Sequence, residues 1–399
     1  MSLDLSRKAQ NVQPSSTLAI TARAKELKLK GIDVVGFGAG EPDYNTPDNI
    51  NQAAIYAINA GFTKYTPASG TANLKEAICK KFKEFNNISY NQNQIVASNG
   101  GKHSLTNVFQ AIINPDDEVI IISPFWLSYP EIVKLAGGKP VYVETKKDNN
   151  FKITPKQLSD ACTNKTKALI LNSPSNPTGI IYTKEELEAL ASIIIEKDIY
   201  VVADEMYEHL VYNGLEHVSI ASLNDEIYKR TITCSGVSKS YSMTGWRIGY
   251  TGSSVELAKV IGSIQSHQTS NPNSIAQVAA TEAINGPQDA VFNMRKEFNE
   301  RRKYLFNRIK DMPYVNSTEP QGAFYVFVDC NEVLEKTYKE EKITTTSKLA
   351  DILINDYNVA VVPCIDFGAP DYIRLSYSIS IEEIKKGMDR IESFLTEIQ

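Results

Sequence analysis

The chain has 399 residues, too many for one ordinary core and enough for two domains. Hydrophobic residues make up 42% and charged residues 22%, the balance of a globular protein rather than a disordered one. The net charge is −5 and there is no basic run, which argues against a nucleic-acid surface.

Met1–Lys8 has no apolar core, so it does not read as a secretory signal. Residues 15–30 read as a helix, with Leu18, Ala22 and Leu29 near one face. The apolar run Val34–Phe37 then breaks into Gly38-Ala39-Gly40-Glu41-Pro42-Asp43. Such a loop is either a glycine turn or a backbone that must come close to a ligand. A helix is expected from Asp48 to Ala60, with Asp48 at its positive end. Tyr65 lies in the polar loop that follows, where it could simply be a half-exposed aromatic. After a helix over 74–85, the strand Ile95–Ser98 runs into Gly100-Gly101-Lys102 and a helix over 103–113. Free N–H groups at a helix start suit a phosphate, although tight turns also use paired glycines.

Val119–Ser123 is a continuous apolar run, as expected of a strand buried in a parallel sheet. It delivers Trp126, either a core filler or a ligand contact at the carboxyl end of a strand. Strands are predicted over 139–144 and 167–172, the second ending in Asn176-Pro177-Thr178-Gly179, which could be only a turn. An amphipathic helix over 184–197 precedes the strand 199–203, which ends in Asp204. A carboxylate there is costly unless it meets a positive partner, caps a helix or joins an ion pair. Helical signal strengthens from Ala276, with a charged amphipathic helix over 294–309. A strand over 322–328, a helix over 345–356 and strands over 359–363 and 373–377 follow. Arg374 sits among apolar neighbours on the last of these; such an arginine wants a carboxylate or a structural ion pair. No apolar stretch reaches the ~18 residues of a membrane span. The five cysteines are scattered without a Cys-x-x-Cys pair, which points to reduced thiols in the cytoplasm. The four histidines show no metal-ligand spacing, so no metal is expected.

The most informative stretch is Gly236-Val237-Ser238-Lys239-Ser240-Tyr241-Ser242-Met243-Thr244-Gly245-Trp246-Arg247-Ile248-Gly249. A strand-like run, 231–234, leads into it. A lysine can form an imine with an aldehyde, an arginine can grip a phosphate, and small neighbours admit a bulky ligand. Together these needs suggest pyridoxal 5′-phosphate (PLP). The stretch resembles the PLP-attachment signature of class I aminotransferases, and the chain as a whole resembles the bacterial-type branch of aspartate aminotransferases.

That resemblance implies an α/β protein of PLP-transferase fold type I. A large, mostly parallel seven-stranded sheet domain would span 48–295, and a smaller α/β domain would be built from 1–47 and 296–399. It implies that Lys239 holds PLP and moves the substrate proton. Asp204 would pair with the ring nitrogen, while Tyr207 and Asn176 would hydrogen-bond the 3′-oxygen and Trp126 stack on the ring. Gly100, Gly101, Ser238 and Arg247 would bind the phosphate, joined by Tyr65 from the partner of a homodimer with shared active sites. Arg374, with Asn176 and Gly40, would hold the substrate α-carboxylate. Lys102 would read a second carboxylate, or else act as a plain counter-charge to the phosphate. The implied reaction moves the amino group of L-aspartate to 2-oxoglutarate, giving oxaloacetate and L-glutamate. An aromatic or broad-range aminotransferase and a PLP-dependent carbon–sulfur lyase are the alternatives. Some members of the branch also use prephenate and carry a basic residue before the N-terminal Pro-Ser; Gln13 stands there in this chain, against that use.

Overall fold

The computed structural model describes residues 4–6 and 10–399. The reading of Met1–Lys8 therefore lies mostly outside the described residues.

Strand β1 (Val35–Gly36) follows the helix Ser16–Leu29. The next seven strands are β2 (Ile95–Ser98), β3 (Glu118–Ser123), β4 (Lys139–Glu144), β5 (Thr166–Asn172), β6 (Tyr200–Asp204), β7 (Thr231–Gly236) and β8 (Gly249–Gly252). They form one sheet in the order β2-β8-β7-β6-β5-β3-β4. All neighbours run parallel except β8, which is antiparallel to β2 and β7. The central strands are apolar along their length because helices cover both faces: every residue of β7 and β8 is buried. Strand register aligns the site. Asn172 pairs with Asp204, and Asp204 with Cys234, so β5 and β6 end at one level and β7 runs two residues beyond it, toward Lys239. This is where open α/β sheets bind ligands.

The later strands are β9 (Asn316–Ser317), β10 (Tyr325–Asp329), the hairpin β11 (Thr337–Tyr338) and β12 (Glu341–Lys342), then β13 (Val359–Ala360), β14 (Val362–Pro363) and β15 (Tyr372–Ser376). A second sheet has the order β14-β15-β10-β9, with Arg374 facing Phe327 on one side and Val362 on the other. β1 pairs in parallel with β13, which ties the two chain ends together. One apolar cluster accordingly gathers Val35 and Phe37 with Phe298, Leu305, Tyr325, Leu375 and Phe394. On this packing we propose the division into 48–295 and the joined ends 1–47 and 296–399. The line between 295 and 296 falls inside a single helix, Asp289–Asp311, which thus connects the two parts.

Several expected elements shift for physical reasons. The helix expected from His103 begins at Gly101, because Gly100 takes φ +89° and caps it. The strand expected from Gly322 begins at Tyr325, since Ala323 adopts φ +57° and cannot extend the ladder. Val359–Pro363 is not one strand; it divides at Val361 and serves two sheets. The helix expected over 294–309 extends to Asp289–Asp311. The helices Ser128–Ala136, Val255–Gln268 and Ile381–Glu397, and strand β8, complete the fold beyond what the sequence pattern indicated.

Candidate active site

At the aligned strand ends, and between the two sheets, lies a cavity of about 370 Å³, within the range of small-molecule sites. Gly40, Gly101, Lys102, Trp126, Asn176, Asp204, Tyr207, Ser238, Lys239, Arg247 and Arg374 all line it. Residues more than three hundred positions apart thus meet at one place.

Lys239 follows β7 and enters the cavity with its ammonium hydrogen-bonded to the Gly40 carbonyl. The loop bearing Gly40 is held by Asp43, which accepts both bonds of a bidentate contact from Arg301 Nη1 at 2.8 and 2.9 Å. Burial brings the Lys239 pKa down to about 8; Glu41 opposes this, and Arg247 and Arg374 add to it. The sign of the consequence is fixed. A lysine with a depressed folded pKa destabilises the fold fully below that pKa, and the penalty fades as pH rises toward the unfolded value of 10.5. Cofactor-free Lys239→Met is therefore expected to be more stable than the cofactor-free parent at pH 7, with the gap closing between about pH 8 and 10.5. Denaturant melts of both proteins at a series of pH values check this.

Asp204 is buried at the end of β6. Tyr129 Oη donates to its Oδ2 at 2.7 Å and the Met206 N–H to Oδ1 at 3.2 Å. Burial raises its pKa in spite of these donors, and among the described residues it has no ion-pair partner. Asn172 donates from Nδ2 to the Asp204 carbonyl and accepts the Asn176 N–H, locking the two strand ends together. Tyr207 shares a 2.9 Å hydrogen bond with the Tyr325 hydroxyl. Lys102 Nζ lies 5.0 Å over the Trp126 ring, and Trp126 meets Tyr129 edge-on. Burial, then Arg247, lowers the Lys102 pKa.

Two arginines of the small sheet region are almost wholly buried, and their contrast is informative. Arg302 is answered by Glu319, Asn213 and the Pro320 carbonyl. Arg374, 2% exposed, donates only to Asn176 Oδ1 at 2.9 Å and the Gly38 carbonyl at 3.3 Å. Its Nε is buried without a partner, and no carboxylate of the described residues pairs with it. The Tyr325 and Phe367 rings flank the guanidinium. A buried guanidinium left in this state calls for an anion.

A second unpaired guanidinium, that of Arg247, lies at the start of the helix Gly101–Ile112. A Cβ on Gly100 would collide with the Arg247 guanidinium, and one on Gly249 with the Gly100–Gly101 backbone. Glycine is therefore required for these chains to approach. Arg247 has left-handed φ of +57° and donates to the Thr244 carbonyl at 2.8 Å. It makes no ion pair among the described residues, and Ser238 is buried beside it.

Two expected site residues do not line the cavity. Gly100 lies just behind it as the cap of the helix Gly101–Ile112, and Tyr65 stands 89% exposed. Other liners were not expected from the sequence: Tyr129, Asn172, Met206, Tyr325 and, from the first helix and its cap, Ser15, Thr17 and Leu18. The fold also brings together Glu205, Glu208 and His217, whose separation in sequence shows no ligand pattern.

The cavity thus offers a nucleophilic amine, an unpaired buried carboxylate and two unpaired guanidinium groups. These fit a molecule with an aldehyde, a basic ring nitrogen and a phosphate, together with a substrate carboxylate. An α/β fold with this set defines an enzyme of amine–carbonyl exchange.

The aminotransferase class I and II family model matches residues 32–391, and the chain belongs to that family. It is 50% identical over 391 residues to the aspartate aminotransferase of Bacillus sp. (strain YM-2), covering 98% of this chain and 99% of that relative. Among solved structures, the aspartate aminotransferase from Rhizobium meliloti superposes with a TM-score of 0.96 at 38% identity, covering 100% of both chains. The Thermus thermophilus aspartate aminotransferase with maleate gives 0.93 at 40% identity, covering 98% of this chain and 100% of that one.

Proposed function

We propose that this enzyme moves the amino group of L-aspartate to 2-oxoglutarate with PLP, in two half-reactions at the one cavity. The observation that carries the reading is the joint presence of Lys239, Asp204 and the carboxylate-free Arg374 around one space. The aspartate aminotransferases that match nearly the full chain favour the substrate pair.

PLP, when bound, supplies an aldehyde for the amino group and a ring that takes up the electrons of the Cα–H bond. Gly100, Gly101, Ser238 and Arg247 would hold its phosphate, Asp204 its ring nitrogen, Trp126 its face, and Asn176 and Tyr207 its 3′-oxygen. Lys239 Nζ is the amine that would hold the aldehyde carbon, with loss of water. Released, it carries the Cα proton as base and then acid. Its low pKa keeps a usable fraction of neutral amine near pH 7–8. Tyr129 and Met206 orient the Asp204 carboxylate, which would accept a hydrogen bond from the protonated ring nitrogen and keep the proton there. Arg374 grips the substrate α-carboxylate with its fork, and Asn176 sets the plane of that fork. Gly40 leaves the approach open: a Cβ there would touch only the Tyr325 hydroxyl.

For the second carboxylate we propose Lys102, whose ammonium stands over Trp126 at the cavity wall. Lys102→Ala is expected to lower kcat/KM for aspartate about tenfold or more, the worth of one charge-assisted hydrogen bond. Alanine as amino donor should change by less than about twofold on the same reasoning. Steady-state kinetics with both donors tests this, and equal losses would remove Lys102 from the role. Gln13 gives its backbone N–H to Glu131 and does not line the cavity, which supports poor use of prephenate.

The assembly we propose is a homodimer. The helix Asp48–Asn59 and the loop after it expose Ile55, Tyr56, Ile58, Phe62 and Tyr65, an apolar set suited to a second copy. Tyr65 of one copy would reach the phosphate site of the other, beside the solvent-exposed Arg247. The five cysteines are free thiols, which supports a cytoplasmic setting. No helix among the described residues is long and apolar enough to cross a membrane.

A further inference from the structure

Behind the cavity lies a charged cluster that the reaction does not use. Lys81, on the helix Ala72–Phe85, and Glu208, four residues beyond Asp204, form an ion pair with side chains 6% and 1% exposed. The rings of Phe82, Phe85 and Tyr250 stand 4.8, 5.5 and 5.9 Å from the ammonium. Ser235 Oγ donates to the same Glu208 oxygen. Asn86 Nδ2 bridges Glu208 Oε2 at 2.7 Å and Glu205 Oε2 at 3.2 Å. Glu205 also accepts from Ser219 at 2.6 Å and lies 3.1 Å from His217 Nε2, and its own N–H donates to the Cys234 carbonyl at 2.8 Å. Glu205, Glu208 and His217 come close enough to hold a metal, but Lys81, Asn86, Ser219 and Ser235 already occupy the carboxylate oxygens.

Burial alone would push the Glu208 carboxyl up. Lys81, the nearby histidines and Asn86 outweigh it and hold Glu208 ionised. A buried ion pair is a poor means of stabilising a fold, since apolar residues of like volume often do as well. Its placement suggests another use. Glu208 follows Tyr207 directly, Ser235 precedes Lys239 by four residues, and Tyr250 lies three residues after Arg247. The ion pair therefore touches all three segments that bear the proposed cofactor groups: Glu208 accepts from Ser235, and Lys81 stands against the Tyr250 ring.

We propose that Lys81 and Glu208, with Asn86 and Ser235, are positioning residues that hold the 204–207 turn against the 235–239 segment before PLP enters. The inference rests on the reading of Lys239 and Asp204 given above. Lys81→Met alone should melt well below the parent, because it strands a buried anion. The charge-free pair Lys81→Met/Glu208→Leu should recover most of that melting temperature. It should nevertheless bind PLP about tenfold or more weaker, measured by fluorescence titration of cofactor-free protein, because small misplacements at a site are costly. The pH midpoint of the visible band of the bound cofactor should shift as well. Ser235→Ala, which keeps both charges, should weaken PLP binding about threefold, as for loss of one hydrogen bond. A double variant and a Ser235→Ala variant that both bind PLP like the parent, with an unmoved midpoint, would overturn the positioning role while leaving the site reading intact. A parent that takes up no PLP would overturn both.

Discussion

Lys239→Ala is expected to lose transamination by more than about 10³-fold, since the proposed covalent anchor and a general base worth ~10²–10⁴ go together. Lys239 is the only lysine among the residues lining the cavity besides Lys102, and Lys102 is held over Trp126 at the wall. No second amine is therefore placed to take over at the Gly40 carbonyl, where the Lys239 ammonium rests. The variant should fold, because removing a buried ammonium whose pKa is depressed relieves a desolvation cost. It should still bind PLP reversibly through the phosphate groups. The visible band of lysine-bound cofactor should be absent. Single-turnover assays of α-proton exchange on aspartate separate this from a binding defect: exchange should fall with the rate. Normal exchange in Lys239→Ala would assign the base to another group.

Arg374→Ala is expected to cost every amino acid about 10²–10⁴ in kcat/KM. Two charge-assisted hydrogen bonds at about 1.5–3 kcal/mol each give that range. The loss should be alike for aspartate, glutamate and alanine, since the α-carboxylate is common to all three. This separates Arg374 from Lys102, whose loss should fall on the dicarboxylic substrates alone. The fold should tolerate the change. The guanidinium has only neutral partners and an unpaired Nε, so no buried carboxylate is stranded by its removal. Arg302→Ala makes the control: it empties the space of a buried guanidinium and leaves the Pro320 carbonyl without its donor, and should lower the melting temperature. An Arg374→Ala enzyme with near-parent kcat/KM for any amino acid would remove the carboxylate clamp from the account.

Much of this site was legible in the sequence because its chemistry is local. The 236–249 stretch carries lysine, arginine and the glycines within one turn-rich segment, and the fold only has to fold it onto a helix start. Asp204 was legible because a carboxylate ends a run of apolar residues, and Arg374 because it interrupts one. Tyr129, Asn172 and Tyr325 were not, because what they do depends on strand register and on the second sheet. Tyr129 becomes a partner of Asp204 only once the helix Ser128–Ala136 is placed beside the end of β3. Tyr325 meets Tyr207 and Arg374 only through the pairing of β10 with β15. Strand β8 has glycine at both ends and reads as a loop; burial between β2 and β7 makes it a strand. Lys81 and Glu208 are 127 residues apart. Nothing in either neighbourhood announces the other.

Tyr65 marks the limit of one chain. Its exposure is what a contribution to a second copy would require, and Arg247 of the proposed phosphate site is exposed as well.

The most direct test of the central claim is the absorbance of the purified protein before and after addition of L-aspartate, with no keto acid present. The account predicts a visible band from lysine-bound PLP that disappears on adding aspartate, with one oxaloacetate released per site and the band restored by 2-oxoglutarate. A protein that shows no such band even after incubation with PLP, or whose band is unmoved by aspartate, would contradict it.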